Sequence, residues 1–148
     1  MHSFVSSLHH CVFATKEREA VLTPQIRQRL WPYLGGVARE NRIKGLAIGG
    51  VADHVHVLLS LPATMSMAKA VQLLKGNSSK WVHETFPKLR SFAWQEGYGA
   101  FSIGVPGIEE TRAYIQNQEE HHRTRTFREE VIMFLERHGM TFDEAMLD

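Results

Sequence analysis

The sequence has few of the features that mark secreted or membrane proteins. It contains one cysteine, Cys11, so no internal disulfide can form, and a disulfide-stabilised extracellular fold is excluded. It has no apolar run long enough to cross a bilayer, and its N-terminus lacks a signal-peptide pattern. We therefore expect a cytoplasmic protein without a membrane partner.

Internal repeats and low-complexity segments are also missing from the sequence. The chain has 148 residues, of which 43% are hydrophobic and 22% charged, so it can form one domain with its own core. We expect a single domain, 1–148, made of a body (1–104) and a C-terminal part (105–148). The sequence Gly-Val-Pro-Gly at 104–107 is the best candidate for a hinge between them.

The net charge of +1 hides an asymmetry between these two parts. Residues 1–104 hold 12 basic and 6 acidic residues, whereas residues 105–148 hold 5 basic and 10 acidic residues. A basic body is compatible with a polyanionic ligand such as nucleic acid. The candidate DNA-binding residues are Lys16, Arg18, Lys75, Asn77, Ser78 and Lys80. The last four lie in a run of small, polar or basic residues, which a solvated helix face explains equally well.

Apolar periodicity predicts the order β-α-β-β-α-β, followed by helices. The predicted strands cover residues 3–15, 45–48, 51–61 and 92–103, the last as a bulged strand or a hairpin, with Gly49-Gly50 as a turn or bulge. Helices are predicted from Thr23 to about Asn41, after Thr64 or Ser66, over 108–122, and from a Thr126/Glu129 capping box to Gly139. This order predicts an α+β fold, a ferredoxin-like (RRM-like) antiparallel sheet with helices on one face and the other face free. The C-terminal helices follow the hinge.

Two histidines, His54 and His56, lie within an apolar stretch that is typical of a buried strand. Positions two apart on a strand point to the same face, so the two imidazoles are expected side by side. Two buried polar rings on one face need a partner, and a divalent metal supplies one for both. The alternative is a pair of hydrogen-bonded core histidines.

The helix predicted after the hinge carries Tyr114 and Gln118, which are four residues apart and therefore on one face. A tyrosine hydroxyl becomes a useful nucleophile when a metal polarises its target phosphate. The amide oxygen of Gln118 is a hard ligand suited to Mg²⁺ or Mn²⁺, so it is a candidate third ligand, which His121 or His122 could replace. The alternative for Tyr114 is a packing or surface role.

Five segments, which together span nearly the whole chain, carry a resemblance to a known family. They are Phe-Ala-Thr-Lys-Glu-Arg at 13–18, Asp-His-Val-His at 53–56, Asn-Ser-Ser-Lys-Trp at 77–81, Trp-Gln-Glu-Gly-Tyr-Gly-Ala-Phe-Ser at 94–102, and Tyr-Ile-Gln-Asn-Gln-Glu-Glu-His-His at 114–122. The chain resembles the single-tyrosine HUH transposases of the smallest bacterial insertion sequences, including the REP-associated tyrosine transposases. The most specific element is the His pair followed some sixty residues later by Tyr-x-x-x-Gln.

The resemblance implies a metal-dependent transposase that nicks and rejoins single-stranded DNA. His54 and His56 would be the HUH pair, Tyr114 the nucleophile and Gln118 the third metal ligand. The tyrosine would form a 5′-phosphotyrosine and release a 3′-hydroxyl, often at an imperfect hairpin. The resemblance also implies a homodimer with composite active sites, in which the tyrosine helix of one subunit can serve the other.

Two other functions are compatible with the same residues. A non-cleaving module, such as a repressor or a domesticated relic, would bind hairpin DNA or RNA through its basic residues and would not need Tyr114. A metal-dependent hydrolase of a small phosphoester would use the His pair with water as nucleophile. A covalent protein–DNA adduct distinguishes the transposase from both.

Overall fold

The computed structural model describes residues 1–147. They form four strands, five α-helices and short 3₁₀ turns. The strands are β1 (Leu8–Ala14), β2 (Lys44–Val51), β3 (His54–Ser60) and β4 (Gly99–Ile103). The helices are α1 (Pro24–Glu40), α2 (Met67–Thr85), α3 (Ile108–Gln116), α4 (Gln118–His121) and α5 (Phe127–Arg137). No helix among these residues is long and apolar enough to cross a membrane.

The sheet has the order β2-β3-β1-β4, and every neighbouring pair is antiparallel. With α1 and α2 inserted after β1 and β3, this is the predicted ferredoxin-like arrangement. Apolar side chains from one face of the central strands, including Phe13, Val55 and Val57, pack with Leu34 of α1 and Leu74 of α2 to form the main core. The His-bearing strand β3 is therefore held between two neighbours and backed by two helices.

The second face of the sheet is covered rather than free, which corrects the expectation from the element order. Ile115 of α3 packs on Ala47 and Leu58, and Phe134 of α5 packs on Val12 and Phe101. This face carries apolar side chains, and the amphipathic C-terminal helices stabilise the fold by removing them from water. The covered face is the one that carries both histidines.

Several predicted boundaries differ from the structure. Strand β1 starts at Leu8 rather than residue 3, and the only part of 92–103 that forms a sheet strand in the described chain is β4. Gly49 and Gly50 lie inside β2, and the chain reverses at residues 52–53 instead. The predicted helix over 108–122 is broken at Asn117, which has φ −103° and ψ 25°.

The predicted helix starts agree with the structure. Thr23 and Ser66 cap α1 and α2 by accepting backbone hydrogen bonds, and Thr126 with Glu129 forms a complete capping box on α5. The capping box fixes where α5 begins, and so determines which of its residues reach the sheet.

Candidate active site

The two histidines of β3 lie on the same face of the sheet, as the period of a strand requires. Both are fully buried, and their ring centroids are 5.2 Å apart. Val55 and Val57 point to the opposite core. The imidazoles lie under the C-terminal helices, close to the turn that joins β2 to β3.

Each imidazole is oriented by a hydrogen bond at Nδ1. His54 Nδ1 lies 2.7 Å from Oδ1 of Asp53, and His56 Nδ1 lies 2.8 Å from Nε2 of His10 on β1. These partners leave the Nε2 atom of both rings facing one point. Histidines that bind metals are held in the same way, with one nitrogen on the metal and the other on a fixed acceptor.

Tyr114 and Gln118 approach the same point from above the sheet. Helix α3 lies close to β2 because Gly49 has no side chain, and a Cβ there would be 2.5 Å from the carbonyl oxygen of Ile115. Although Asn117 interrupts the helix, Gln118 is buried and its Oε1 lies 3.2 Å from Nε2 of His54. The structure thus brings the predicted site residues of both segments together.

A fifth group, Glu130 of α5, occupies the centre of this arrangement and was not predicted. Its side chain is fully buried. Its Oε2 accepts hydrogen bonds from the hydroxyl of Tyr114 and from Nε2 of Gln118, the latter at 3.0 Å. Its Oε1 faces the imidazoles, with Nε2 of His56 at 2.9 Å.

His122 completes the ring of polar groups. Its Nε2 lies 3.2 Å from Oε1 of Glu130, and its ring is 4.5 Å from that of His54. The sequence indicated His122 only as a possible replacement for Gln118. The neighbouring His121 does not join the cluster and stacks on the ring of Tyr114 instead.

Burial and hydrogen bonding shift the pKa values of the histidines in different directions. Burial lowers the pKa of His56 to about 4 and that of His10 to about 3. Burial also acts to lower the pKa of His54, but hydrogen bonds to Asp53 and Glu130 outweigh it and raise that pKa. His10 and His56 are therefore neutral at pH 7, as metal ligands and their acceptors must be.

The carboxylate of Glu130 is a charged hydrogen-bond acceptor, and the phenol of Tyr114 is a neutral donor to it. Burial would raise the pKa of Glu130, but hydrogen bonds from His122, His54 and His56 hold it well below its usual range. Burial and the nearby charge of Glu130 raise the pKa of Tyr114 above its usual value. The hydroxyl of Tyr114 therefore stays protonated and donates to Glu130.

The donor atoms at this point fit a divalent metal. His54, His56, His122 and Glu130 each offer one ligand atom, and these four atoms lie within 4.8 Å of one another. The oxygen of Gln118 is a fifth candidate donor on the same side. Imidazole and carboxylate groups are common ligands of divalent metals, and their fixed Nδ1 partners hold the rings ready to bind.

The folded chain and its site can be compared with known proteins. Residues 3–118, well over half of the chain, match the family described as IS200-like transposase. The chain belongs to this family. The transposase of ISDra2 from Deinococcus radiodurans, TnpA, is 28% identical over 109 residues, which is 73% of this chain and 78% of that protein. The transposase of insertion sequence IS200 from Salmonella typhimurium is 29% identical over 123 residues, or 79% of this chain and 80% of that protein.

Two solved structures resemble this transposase in fold. A crystal structure of a putative transposase from Deinococcus radiodurans R1 matches with a TM-score of 0.67 and 25% identity, and the match covers 80% of this chain and 95% of that one. A REP-associated tyrosine transposase bound to a REP hairpin matches with a TM-score of 0.61 over 82% of this chain and 72% of that one. At 16% identity the second likeness shows the fold alone.

Three of the residues predicted to bind DNA make hydrogen bonds within the transposase. Lys75 Nζ donates to the backbone oxygens of Gln95 and Gly97, at 2.6 and 3.0 Å. The exposed Asn77 donates to the oxygen of Leu73 at 2.8 Å. Ser78 is fully buried against the loop that precedes β4, so its hydroxyl does not reach the surface.

The other three predicted DNA contacts have more accessible side chains. Lys80 is 78% exposed and lies 4.0 Å from Glu84 one helical turn away. Lys16 is exposed after β1, and the guanidinium of Arg18 lies 5.9 Å from the ring centroid of Phe127, next to the site. Their contact with DNA remains a prediction.

Basic groups that sequence reasoning did not predict line a cavity of about 260 Å³ beside the tyrosine of this transposase. Its walls include Tyr114, His10, His121, Arg125 and Arg137. Guanidinium groups match the geometry of phosphate oxygens. The cavity therefore brings two guanidinium groups, together with the carboxylate of Glu110, beside the side chain of Tyr114.

The sequence did contain a signal for Glu130. Phe127, Glu130 and Phe134 share the spacing of the apolar stripe of α5. A carboxylate in such a stripe is rarely buried without a partner.

Proposed function

We propose that this transposase nicks and rejoins single-stranded DNA through a covalent bond between Tyr114 and a 5′-phosphate. Mg²⁺ or Mn²⁺ would bind at His54 and His56, with the third ligand drawn from Gln118, His122 and Glu130. The observation that supports this most strongly is that a tyrosine hydroxyl and a buried His pair contact the same carboxylate. A packing tyrosine would not need to be placed beside a set of metal ligands.

The proposed reaction gives each of these groups one role. The Tyr114 oxygen attacks a phosphorus atom and forms the O–P bond, while the bond from that phosphorus to the 3′ oxygen breaks. Glu130, which accepts the phenol's hydrogen bond, relays the proton to the departing oxygen, so a 3′-hydroxyl is released. A bound divalent cation would polarise the phosphate and offset the charge that develops on it. The phosphotyrosine keeps the energy of the broken bond, so rejoining needs no ATP.

The substrate class rests on the family and on the basic groups around the site. A related transposase has been solved bound to a REP hairpin. In this chain Arg125 and Arg137 flank the tyrosine, and Arg18 lies at the rim. We propose hairpin-bearing single strands as the DNA, with Lys16 and Lys80 adding contacts farther out.

The resemblance also predicts a homodimer, and the structure suggests how each protomer would work in it. Tyr114 contacts Glu130 of its own chain, and Ile115 packs on the same chain's Leu58. We propose that each protomer uses its own tyrosine, although the segment Val105–Gly107 before α3 is where an exchange of helices would occur.

The test is a covalent-adduct assay with labelled single-stranded oligonucleotides that carry hairpins. In Mg²⁺ or Mn²⁺, a denaturing gel should show a band at the mass of protein plus DNA. Tyr114→Phe should remove the band and keep DNA binding, because only the hydroxyl is lost. Tyr98→Phe, at an exposed tyrosine away from the site, is the matched control. An undiminished band in Tyr114→Phe would rule out this nucleophile.

Absence of an adduct would support the second candidate function. Salt-sensitive hairpin binding without cleavage would identify a binding module, because phosphate contacts weaken steeply as salt is added. The burial of the phenol against a charged carboxylate, which raises the pKa of Tyr114, is the observation that favours this alternative.

A further inference from the structure

We propose that Gln95 and Lys75 are positioning residues for a strained turn at residues 16–19. The turn holds the guanidinium of Arg18 at the edge of the active site, where it binds a DNA phosphate. This inference rests on the proposed function. It assigns Lys75 a role inside the protein, in place of the DNA contact expected from the sequence.

The turn at residues 16–19 has an unfavourable backbone. Glu17 and Arg18 are consecutive, and both have positive φ angles, 56° and 52°. Residues with a Cβ rarely adopt this left-handed conformation, and in the described chain Arg42 is the only other non-glycine residue that does so. Such strain persists only where the surrounding structure enforces it, and it is concentrated at functional sites. The turn therefore needs a restraint from the rest of the fold.

The buried Thr15 restrains both ends of the turn. Its backbone oxygen accepts a hydrogen bond from the N–H of Arg18 at 2.9 Å, and its hydroxyl donates to the oxygen of Glu19 at 2.8 Å. The N–H of Thr15 donates to the backbone oxygen of Asp53 at 2.8 Å. The turn is thus fixed relative to Asp53, whose carboxylate orients His54.

Gln95 restrains the middle of the turn. Its side-chain oxygen accepts a 2.8 Å hydrogen bond from the backbone N–H of Glu17, the first of the two strained residues. The backbone N–H of Gln95 donates to the oxygen of Ala14 at 2.8 Å, which fixes Gln95 beside the end of β1. Loss of the side-chain oxygen would therefore remove this restraint on Glu17 and let the turn relax.

Lys75 of α2 restrains the loop that carries Gln95. Its Nζ donates to the backbone oxygens of Gln95 and Gly97, at 2.6 and 3.0 Å, and lies 5.8 Å from the ring centroid of Phe13. An ammonium group has three N–H donors, and two of them are used here. The ammonium of Lys75 therefore has internal partners, which suit a positioning role better than a contact with DNA.

The turn brings Arg18 close to the histidine strand. The guanidinium carbon lies 5.9 Å from the ring centroid of Phe127, and that ring is 4.6 Å from the ring of His54. Residues 16–19 contain two basic and two acidic side chains, so their net charge does not attract DNA. A guanidinium can bind phosphate oxygens in a bidentate manner. A phosphate contact here depends on where Arg18 is held, which is the reason for the restraint.

The salt dependence of DNA binding tests this assignment. Fluorescence anisotropy measures binding of the full chain to a fluorescein-labelled DNA hairpin with single-stranded arms, in EDTA, at several salt concentrations. Arg18→Gln should reduce the slope of log affinity against log salt by about 0.7–1, because one phosphate contact is lost. Gln95→Met should reduce the slope by a similar amount although it removes no charge, because Arg18 is then no longer held in place.

Double variants separate positioning from direct contact. If Gln95 and Lys75 act through Arg18, adding Gln95→Met or Lys75→Met to Arg18→Gln should not change the slope further. If Lys75 bound a phosphate itself, the second double variant would lose a further slope of about 0.7–1. Gln72→Met, at an exposed glutamine of α2, is the matched control and should keep the wild-type slope.

The strain in the turn is tested without DNA. Glu17→Gly and Glu19→Gly each remove one exposed carboxylate from the same turn, but Glu17 has φ 56° and Glu19 has φ −62°. Glycine relieves strain only at the first position, and at the second it only adds freedom to the unfolded chain. We expect the Tm of Glu17→Gly to exceed that of Glu19→Gly by about 2–4 °C. Equal Tm values would contradict the strained turn.

The positioning role is overturned by a wild-type slope in Gln95→Met, or by a further loss of slope when Lys75→Met is added to Arg18→Gln. If Gln95→Met fails to fold by circular dichroism, the variants of Lys75 decide the question. The phosphate contact is overturned by a wild-type slope in Arg18→Gln, or by a wild type that does not bind the hairpin.

Failure of this inference can be separated from failure of the proposed function. The slopes and Tm values are measured without a metal, whereas the function is measured from the covalent adduct. An adduct together with a wild-type slope in Gln95→Met discards only the positioning role. The expected slopes without an adduct keep the positioning role and discard the nicking reaction.

Discussion

The indole nitrogen of Trp94 donates a 2.9 Å hydrogen bond to the hydroxyl of Ser78. Both side chains are buried, so this bond joins the middle of α2 to the loop that leads into β4. The hydroxyl in turn donates to the backbone oxygen of Lys75 at 3.2 Å. Part of the polar run of α2 therefore stabilises the internal packing, although its composition was equally compatible with a phosphate-binding surface and with a solvated helix face.

We predict that Ser78→Ala lowers the free energy of unfolding by about 1–3 kcal/mol, because the N–H of Trp94 would be buried without an acceptor. Denaturant unfolding followed by tryptophan fluorescence measures the change. Lys80→Ala on the same helix, at a side chain that is 78% exposed, should stay close to wild type. Equal stability of all three proteins would contradict a structural role for Ser78.

The exposed lysines should act on DNA affinity instead of stability. Lys16→Ala and Lys80→Ala should each weaken hairpin binding and reduce the slope of log affinity against log salt by about 0.7–1, since each phosphate contact releases counterions. Fluorescence anisotropy at several salt concentrations gives this slope. Lys88→Ala, at an exposed lysine after α2, serves as the comparison for loss of charge alone. A slope identical to wild type in both variants would remove these lysines from the DNA surface.

Close packing at Gly49 should control the position of the tyrosine. A Cβ at Gly49 would meet the backbone of Ile115, so Gly49→Ala should push α3 away from β2 and cost about 1–3 kcal/mol as overpacking. We expect adduct formation to fall by more than the loss of folded protein explains. In Gly76→Ala, a Cβ has no neighbour within 4 Å, and this variant should gain about 0.5–1 kcal/mol from helix propensity. Thermal unfolding and the adduct gel together distinguish these results.

Mixing two inactive variants tests whether a protomer uses its own tyrosine. Tyr114→Phe lacks the nucleophile, and His56→Asn lacks one imidazole of the His pair. Because Tyr114 and Glu130 of one chain are in contact, we expect the mixture to remain without adduct. Recovery of adduct on the His56→Asn protein would show that helices are exchanged between protomers. Co-refolding the two variants before the assay removes slow subunit exchange as a cause of a negative result.

The fold was largely predictable because its signals are local. Alternation along β3 placed His54 and His56 on one face. Thr23 and Thr126 marked the starts of α1 and α5, and Ser66, one of two predicted alternatives, caps α2. Each of these signals depends on neighbours within a few residues. The strand order then followed from the sequence of elements.

The parts that were missed depend on contacts between distant segments. Glu130 meets His56 from 74 residues away, and Ser78 finds Trp94 only once the loop before β4 has folded back. The helix break at Asn117 is not predicted by the sequence, because no Pro or Gly lies at that position. Such features follow from which apolar faces pack together, and a pattern read along one chain does not contain that information.

The position of Glu130 in the chain also sets an order of events during synthesis. The carboxylate is made 74 residues after His56. At roughly 5–20 residues per second, it follows the histidine strand by about 4–15 s. During that interval the nascent chain contains His56 but does not yet contain Glu130. Glu130 therefore joins the site only after all four strands of the sheet have been synthesised.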